Sequence, residues 1–264
     1  MNLAFVAQVV LVLLVCEQRV DSSYKRGFGM YYNYYECGDT YALNNTYWWY
    51  NWHYNFTKDV TYHCPRRTRG EYLPMIANEA DTLDAEIPPE SKYVLGFNEP
   101  NEADHMSPEW CAELWPRVEK IAGGRILVSP ALAACDIYPD MCIDWYERFF
   151  KACPGCRVDK IAVHGYHCVP YELLQSLGKI SSHFNRPIWL TEFACHGNVS
   201  SQDQINFMNI ALPLLEQASF VERYAWFSQR NKQATTFMPN FSSNLLNLKS
   251  PTLTSVGLFY NDYK

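Results

Sequence analysis

Apolar residues along the chain gather into eight short runs, near 27–32, 47–54, 72–77, 93–98, 125–129, 160–164, 188–192 and 224–228. They are rich in β-branched and aromatic residues, the pattern of strands buried on both faces of a parallel sheet. Between them the spacing turns helical. Ser107, followed by Pro108 and Glu109, caps a helix carrying Trp110, Leu114, Val118 and Ile121, which Gly123-Gly124 ends. A second helix starts from Ser200 or Ser201 and lays Ile205, Met208, Ile210, Leu212 and Leu215 along one stripe, with Pro213 predicted to kink it. Strands alternating with helices over 264 residues predict an α/β fold, a single (β/α)8 TIM-type barrel, for which about 250 residues is the usual size. Segment 233–248 has the least pattern and is expected as a long loop beside the functional site.

The apolar stretch 2–16, followed by Glu17-Gln18-Arg19, is too short for a membrane span of ~20 residues and predicts a secretory signal. Residues 1–22 are therefore assigned to a signal peptide, cleaved between Cys16 and Ser23, and 23–264 to one catalytic domain. No later run is apolar enough to cross a bilayer, so the mature protein is expected to be soluble, secreted and without a membrane partner. Nine further cysteines fit an oxidising compartment and disulfides of open connectivity, with one cysteine left over. Four sequons, at Asn44, Asn55, Asn198 and Asn240, fit the same route.

A formal net charge of −6 argues against a nucleic-acid partner, and the one basic cluster, Arg66-Arg67-Thr68-Arg69, reads as a solvated loop. There is no phosphate-binding glycine loop, serine nucleophile elbow or zinc-protease helix. The pair Cys153-x-x-Cys156 has no second such pair to complete a zinc site and reads as a small structural disulfide.

The chemistry lies in two runs that each end on a glutamate: 93–98 leads into Glu99-Pro100, and 188–192 ends at Glu192. In a β/α barrel, side chains at the C-terminal ends of strands line the site. Two carboxyl groups there are what glycoside hydrolysis uses, one to protonate the leaving oxygen and one to attack the sugar.

These segments occur in an order that resembles glycoside hydrolase family 128, secreted β-1,3-glucanases on a small barrel with a retaining mechanism. The resemblance rests on Tyr50-Asn51-Trp52, Leu73-Pro74-Met75, Gly96-Phe97-Asn98-Glu99-Pro100, Ser129-Pro130-Ala131, Ala162-Val163-His164-Gly165-Tyr166, Trp189-Leu190-Thr191-Glu192-Phe193 and Glu222-Arg223-Tyr224-Ala225-Trp226. It implies that Glu99 is the acid/base, with a pKa raised by burial and by Glu192, and that Glu192 is the nucleophile. It further implies that Asn98 donates to the sugar 2-hydroxyl, that His164 and Tyr166 orient Glu192, and that Trp226 is a stacking floor. Asn51 and Trp52 are implied as further sugar contacts. The substrate implied is β-1,3-glucan, bound by a monomer needing no cofactor and no metal. One departure stands out: Gly165 replaces an aromatic common in the family, which puts subsite shape in question, while the aromatic stretch 30–62 offers other stacking surface. The rival readings are a glucan-binding protein on the same barrel with weak or lost catalysis, and a transglycosylase using the same two glutamates.

Overall fold

A computed structural model describes residues 23–56, 64, 68–102, 106–232 and 239–264. The expected signal peptide, Arg66 and Arg67, and the first part of segment 233–248 lie outside the described residues.

Eight parallel strands follow one another around a barrel: β1 (Arg26–Gly29), β2 (Trp48–Tyr50), β3 (Glu71–Tyr72), β4 (Tyr93–Val94), β5 (Ile126–Leu132), β6 (Lys160–Gly165), β7 (Ile188–Phe193) and β8 (Val221–Trp226). They pair in the order β3-β2-β1-β8-β7-β6-β5-β4. The gap between β3 and β4 closes beyond their regular ladders, through a Met75–Leu95 bridge and bonds from Leu95 N to Pro74 O, Ile76 N to Leu95 O and Asn98 N to Ala77 O, each 2.9 Å. The (β/α)8 barrel is thus closed, and every strand overlaps a run read from the sequence.

The helices are α1 (Asp39–Ala42), α2 (Asp81–Asp84), α3 (Pro108–Ala122), α4 (Pro139–Ala152), α5 (Pro170–Phe184), α6 (Ser201–Gln217) and α7 (Ser255–Asp262). Ser107 caps α3 by accepting from Trp110 N, and Ser200 with Asp203 forms a capping box on α6. Pro213 does not end α6, which continues to Gln217. The buried Lys25 ammonium covers that helix end, donating to the carbonyls of Leu215, Glu216 and Ala218 at 2.8–3.2 Å.

Strand alternation divides the core into two layers. Trp48, Tyr50, Leu73, Met75, Leu95, Val128, Ala162, Trp189 and Ala225 fill the barrel, while Trp49, Leu190, Phe193, Tyr224 and Trp226 pack outward against helices. Arg223 plugs the N-terminal end, paired with Glu71 at 2.7 Å and lying 4.5 Å from the Tyr93 ring centroid and 4.8 Å from that of Trp189. Near the opposite end Arg230 and Asp39, both fully buried, form a two-bonded ion pair. Arg230 also reaches the carbonyls of Tyr34, Asn247 and Ser250 and so ties the chain after β1 to the chain after β8.

Four disulfides join Cys37–Cys64, Cys135–Cys142, Cys153–Cys156 and Cys168–Cys195. The Cys153–Cys156 pair is therefore a bridge, and the remaining cysteine of the described chain, Cys111, is buried on α3. Of the sequon asparagines, Asn44 and Asn198 are exposed, whereas the Asn240 amide is held on both sides by Gly197 and Ser242.

Candidate active site

Backbone bonds at the C-terminal mouth fix Glu99 before any side chain is considered. Glu99 N donates to Ala131 O at 2.8 Å, and Asn98 bridges to Ala131, so the end of β4 is pinned to β5. Glu99 adopts a left-handed backbone with φ 43°, as Trp52 does with φ 57°. This conformation is costly for a residue with a side chain and concentrates at functional sites. Gly29 makes room for Trp52: a Cβ at Gly29 would lie 2.9 Å from the indole Cη2.

Glu192, near the end of β7, is only 2 % exposed and is surrounded by donors. Trp52 Nε1 donates to its Oε1 at 2.8 Å, Tyr50 Oη to the same oxygen at 3.2 Å, and Tyr166 Oη to its Oε2. The fully buried His164 lies between the two carboxylates, with Nδ1 2.6 Å from Glu99 Oε1 and Nε2 3.5 Å from Glu192 Oε1. An oxygen of Glu99, an oxygen of Glu192 and a nitrogen of His164 all lie within 4.8 Å of one another. These are also the atom types that hold a cation, but His164 Nδ1 is engaged by Glu99, and both oxygens of Glu192 already accept hydrogen bonds.

The electrostatics of this triad differ from the sequence expectation in one respect. Burial works against charge on His164, yet the carboxylates of Glu192 and Glu99 outweigh it and hold the imidazole pKa up. Burial likewise raises Glu99, as anticipated, but the charge and hydrogen bond of His164 outweigh that and hold it below the usual carboxylate range. Glu192 is raised, by burial above all and also by Glu99, against the opposing pull of His164, Tyr166 and Trp52. With His164 held up and Glu99 held down, the proton between them belongs to the imidazole. His164 was expected to serve Glu192, and its shorter contact is to Glu99.

Around the glutamates stands a cluster of aromatic rings. Tyr31 lies 4.8 Å from Trp52 by ring centroids, and Phe227 meets Tyr31, Trp52 and Tyr166 edge-on at 5.6–5.8 Å. Gln229 brackets Tyr31 by bonding both its backbone N and O at 2.8 Å. Burial, followed by the charge of Glu192, raises the Tyr31 hydroxyl above the ordinary phenol value.

Tyr166, Trp52 and His164 thus meet the two glutamates; Asn98 precedes Glu99, and its Oδ1 is buried with no hydrogen-bond partner among the described residues. Asn51 is buried, and its amide oxygen accepts from Tyr72 Oη at 2.9 Å. The expectation for Trp226 is corrected. The ring is fully buried on the outer face of β8, edge-on to Phe193, with Nε1 donating to Ser243 O at 2.8 Å, so no sugar reaches it. Tyr224, two residues earlier, packs on the same outer face, as strand periodicity requires. Gly165 also faces away from the mouth, toward Leu173 and Asp136, so its missing side chain does not shape the cleft. Tyr31, Tyr50 and Phe227 were not singled out as site residues. Tyr50 was within reach of sequence reasoning, since it ends the second strand at the mouth and shares the inward face of Trp48, two residues earlier.

Comparison with known proteins places this geometry among carbohydrate-active enzymes. Residues 29–260 match the family described as glycosyl hydrolase catalytic core. A curated relative, alkali-sensitive linkage protein 1 of Schizosaccharomyces pombe, is 30% identical over 225 residues covering 80% of this chain; the chain spans only 40% of that relative's length. Among solved structures, a family 128 subgroup II endo-β-1,3-glucanase from Sorangium cellulosum aligns with a TM-score of 0.74 and 31% identity, over 91% of this chain and 98% of that one. A subgroup I endo-β-1,3-glucanase from Amycolatopsis mediterranei, in complex with laminaritriose, aligns with a TM-score of 0.70 and 28% identity, over 90% of this chain and 99% of that one.

Proposed function

Because the chain belongs to glycoside hydrolase family 128, within the glycosyl hydrolase catalytic core family, we propose that it is an endo-β-1,3-glucanase that cleaves with retention through a glycosyl-enzyme intermediate. It is a glycoside hydrolase. The observation that carries the finer reading is the approach of Glu99 and Glu192 oxygens to within 4.8 Å. Retaining enzymes keep their carboxyl groups about 5–5.5 Å apart, whereas inverting enzymes need about 6.5–9.5 Å to admit a water. Family relatives that are endo-β-1,3-glucanases, one of them bound to laminaritriose, support β-1,3-glucan as substrate.

In this reading Glu192 is the nucleophile, and the hydrogen bonds from Trp52, Tyr50 and Tyr166 hold one oxygen toward the anomeric carbon. Glu99, whose side chain is 17% exposed, is the acid/base. A bound sugar displaces water from it and makes the charge-separated Glu99–His164 pair more costly, so the proton moves across the 2.6 Å contact onto Glu99 and from there to the leaving oxygen. Once Glu192 is esterified its charge is gone, and ionised Glu99 takes a proton from the incoming water. Asn98, beside Glu99 and only partly buried, would donate from its amide nitrogen to the sugar 2-hydroxyl, its Oδ1 being closed off within the protein. Tyr31 and Trp52, both partly exposed, offer the stacking faces first assigned to Trp226. Four disulfides support action outside the cell.

The test is release of reducing ends by the mature protein from soluble β-1,3-glucan, mixed-linkage glucan and cellulose, with Glu99→Gln as control and the anomer of the first product read by proton NMR. Release from β-1,3-glucan alone, as the β-anomer, is expected. Binding to insoluble β-1,3-glucan without release would favour the binding-protein reading, and first-formed α-anomer would overturn retention.

A further inference from the structure

Between His164, which bonds Glu99, and Tyr166, which bonds Glu192, stands a glycine whose missing side chain leaves room for a third carboxylate. A Cβ on Gly165 would lie 2.7 Å from Leu173 Cδ1, and 3.1 and 3.2 Å from Cβ and Cγ of Asp136. Asp136 follows β5 and is only 4% exposed. Its Oδ2 accepts from His167 N at 2.7 Å, its Oδ1 from Ile137 N at 3.0 Å, and its backbone oxygen from Ser176 Oγ of α5 at 2.7 Å. Beside it Cys135 N donates to His164 O at 3.3 Å, and the Cys135–Cys142 bridge fastens the loop to α4. The turn after β5 therefore grips the end of β6 on both sides of the two residues that hold the glutamates.

We propose that Asp136 is a positioning residue for catalysis: through the space left by Gly165 it fixes the His164–Tyr166 segment and places a buried negative charge behind His164. The proposal builds on the assignment of Glu99 and Glu192 above. A bulkier residue at 165 would push the carboxylate off the His167 amide, so the glycine and the aspartate form one device. Around His164 the charged groups are Glu99 from the segment after β4, Glu192 from β7 and Asp136 from the turn after β5, with the Tyr166 hydroxyl from just past the end of β6. Facing Asp136 are His164 and His167, and His167 also lies 3.3 Å from Glu172 of α5. Among the described residues Asp136 forms no ion pair within 4 Å; burial raises its pKa against the pull of the His167 amide and ring, and its charge adds to those of Glu192 and Glu99 in holding His164 up. Removing the charge while keeping an acceptor should make His164 release its proton at lower pH.

The experiment compares the mature protein with Asp136→Asn and Asp136→Ala, using Asp136→Glu as the conservative variant. Histidine side-chain resonances are titrated by NMR, with His164 assigned from His164→Gln, and kcat and KM on soluble β-1,3-glucan are followed across pH. In Asp136→Asn the His164 titration is expected to move to lower pH, the alkaline limb of kcat to move with it, and kcat to fall about tenfold with KM little changed, the response to a misplaced catalytic group. Asp136→Ala should lose more and Asp136→Glu should recover part. An unchanged His164 titration in a folded Asp136→Asn protein overturns the proposal, as does a loss of melting temperature alone. Should the wild-type protein leave β-1,3-glucan intact, the substrate reading fails, and the titration still decides the role of Asp136.

Discussion

His164 and Glu99 face each other across 2.6 Å in a site where the imidazole has no exposure at all. The contact makes the acid proton the property of a pair. Because His164 is held up and Glu99 held down, activity should persist into the alkaline range until the pair loses its one proton. Replacing His164 by Gln leaves Glu99 raised by burial and by Glu192, yet still a carboxylic acid, so the alkaline limb of kcat/KM should move to lower pH. Loss of the partner should also cost about 10²-fold in kcat/KM at neutral pH. A pH–rate profile reads both effects, and an unmoved alkaline limb would show that the proton never rested on His164.

Glu192 makes the opposite kind of demand on the fold. Burial raises its folded-state pKa, so the protonated form is favoured in the folded protein. That contribution is fully present below the unfolded glutamate value and is lost as pH rises through the raised folded value. Glu192→Gln should therefore be inactive yet more stable at pH 7, by roughly 2–4 °C in melting temperature for each kcal/mol gained in a chain of this size. The gain should disappear near pH 4. Azide is expected to restore turnover to Glu192→Ala with the inverted anomer, and rescue with the retained anomer would sink the nucleophile assignment.

The strands and the two glutamates were legible because barrel strands are continuous apolar runs and a lone glutamate at the end of one is conspicuous. The partner of His164 was not. The register between β6 and β7 shifts after Val163, setting His164 opposite Glu192, and its ring lies within reach of Glu99 in the segment that follows β4. A shift of one residue reverses what faces the site, and nothing in residue type announces it. The orientations of Gly165 and Trp226 were available from alternation, since Gly165 lies between two inward residues and Trp226 is two residues from Tyr224 on one face. The resemblance named conspicuous residues, and only the backbone assigned them faces.

Trp226 offers a direct test of that correction. Trp226→Phe removes the bond to Ser243 O and part of a ring packed on Phe193 and Tyr260. Stability should fall by about 1–3 kcal/mol in urea unfolding, a buried hydrogen bond plus an underfilled site. KM for soluble β-1,3-glucan should stay the same. A clear rise in KM with unchanged stability would return Trp226 to the sugar platform.

The Cys168–Cys195 bridge links the segments just past Tyr166 and Glu192, across a sequence separation of 27. Changing both cysteines to serine should cost about 3.5 kcal/mol by the chain-entropy argument. Because the bridged segments carry a donor and its acceptor, kcat should drop under conditions where far-UV circular dichroism still reports a folded barrel. Equal denaturant midpoints for activity and fold would mean the bridge serves stability alone.

Trp52 combines three features seldom found in one residue: a left-handed backbone, a hydrogen bond to the glutamate assigned as nucleophile, and a partly exposed ring beside Tyr31. Trp52→Phe keeps an aromatic face while removing the N–H and the second ring of the indole. Hydrogen bonds to charged groups are worth about 1.5–3 kcal/mol, so kcat should fall roughly 10- to 100-fold while oligosaccharide binding weakens little. The N–H lowers the Glu192 pKa, so its loss should also move the acid limb of the profile to higher pH. Kinetics across pH, set beside binding of a β-1,3-linked oligosaccharide to the Glu192→Gln background, separate the two roles. A variant that loses binding and keeps kcat would show that the ring matters to the sugar and the N–H does not matter to the nucleophile.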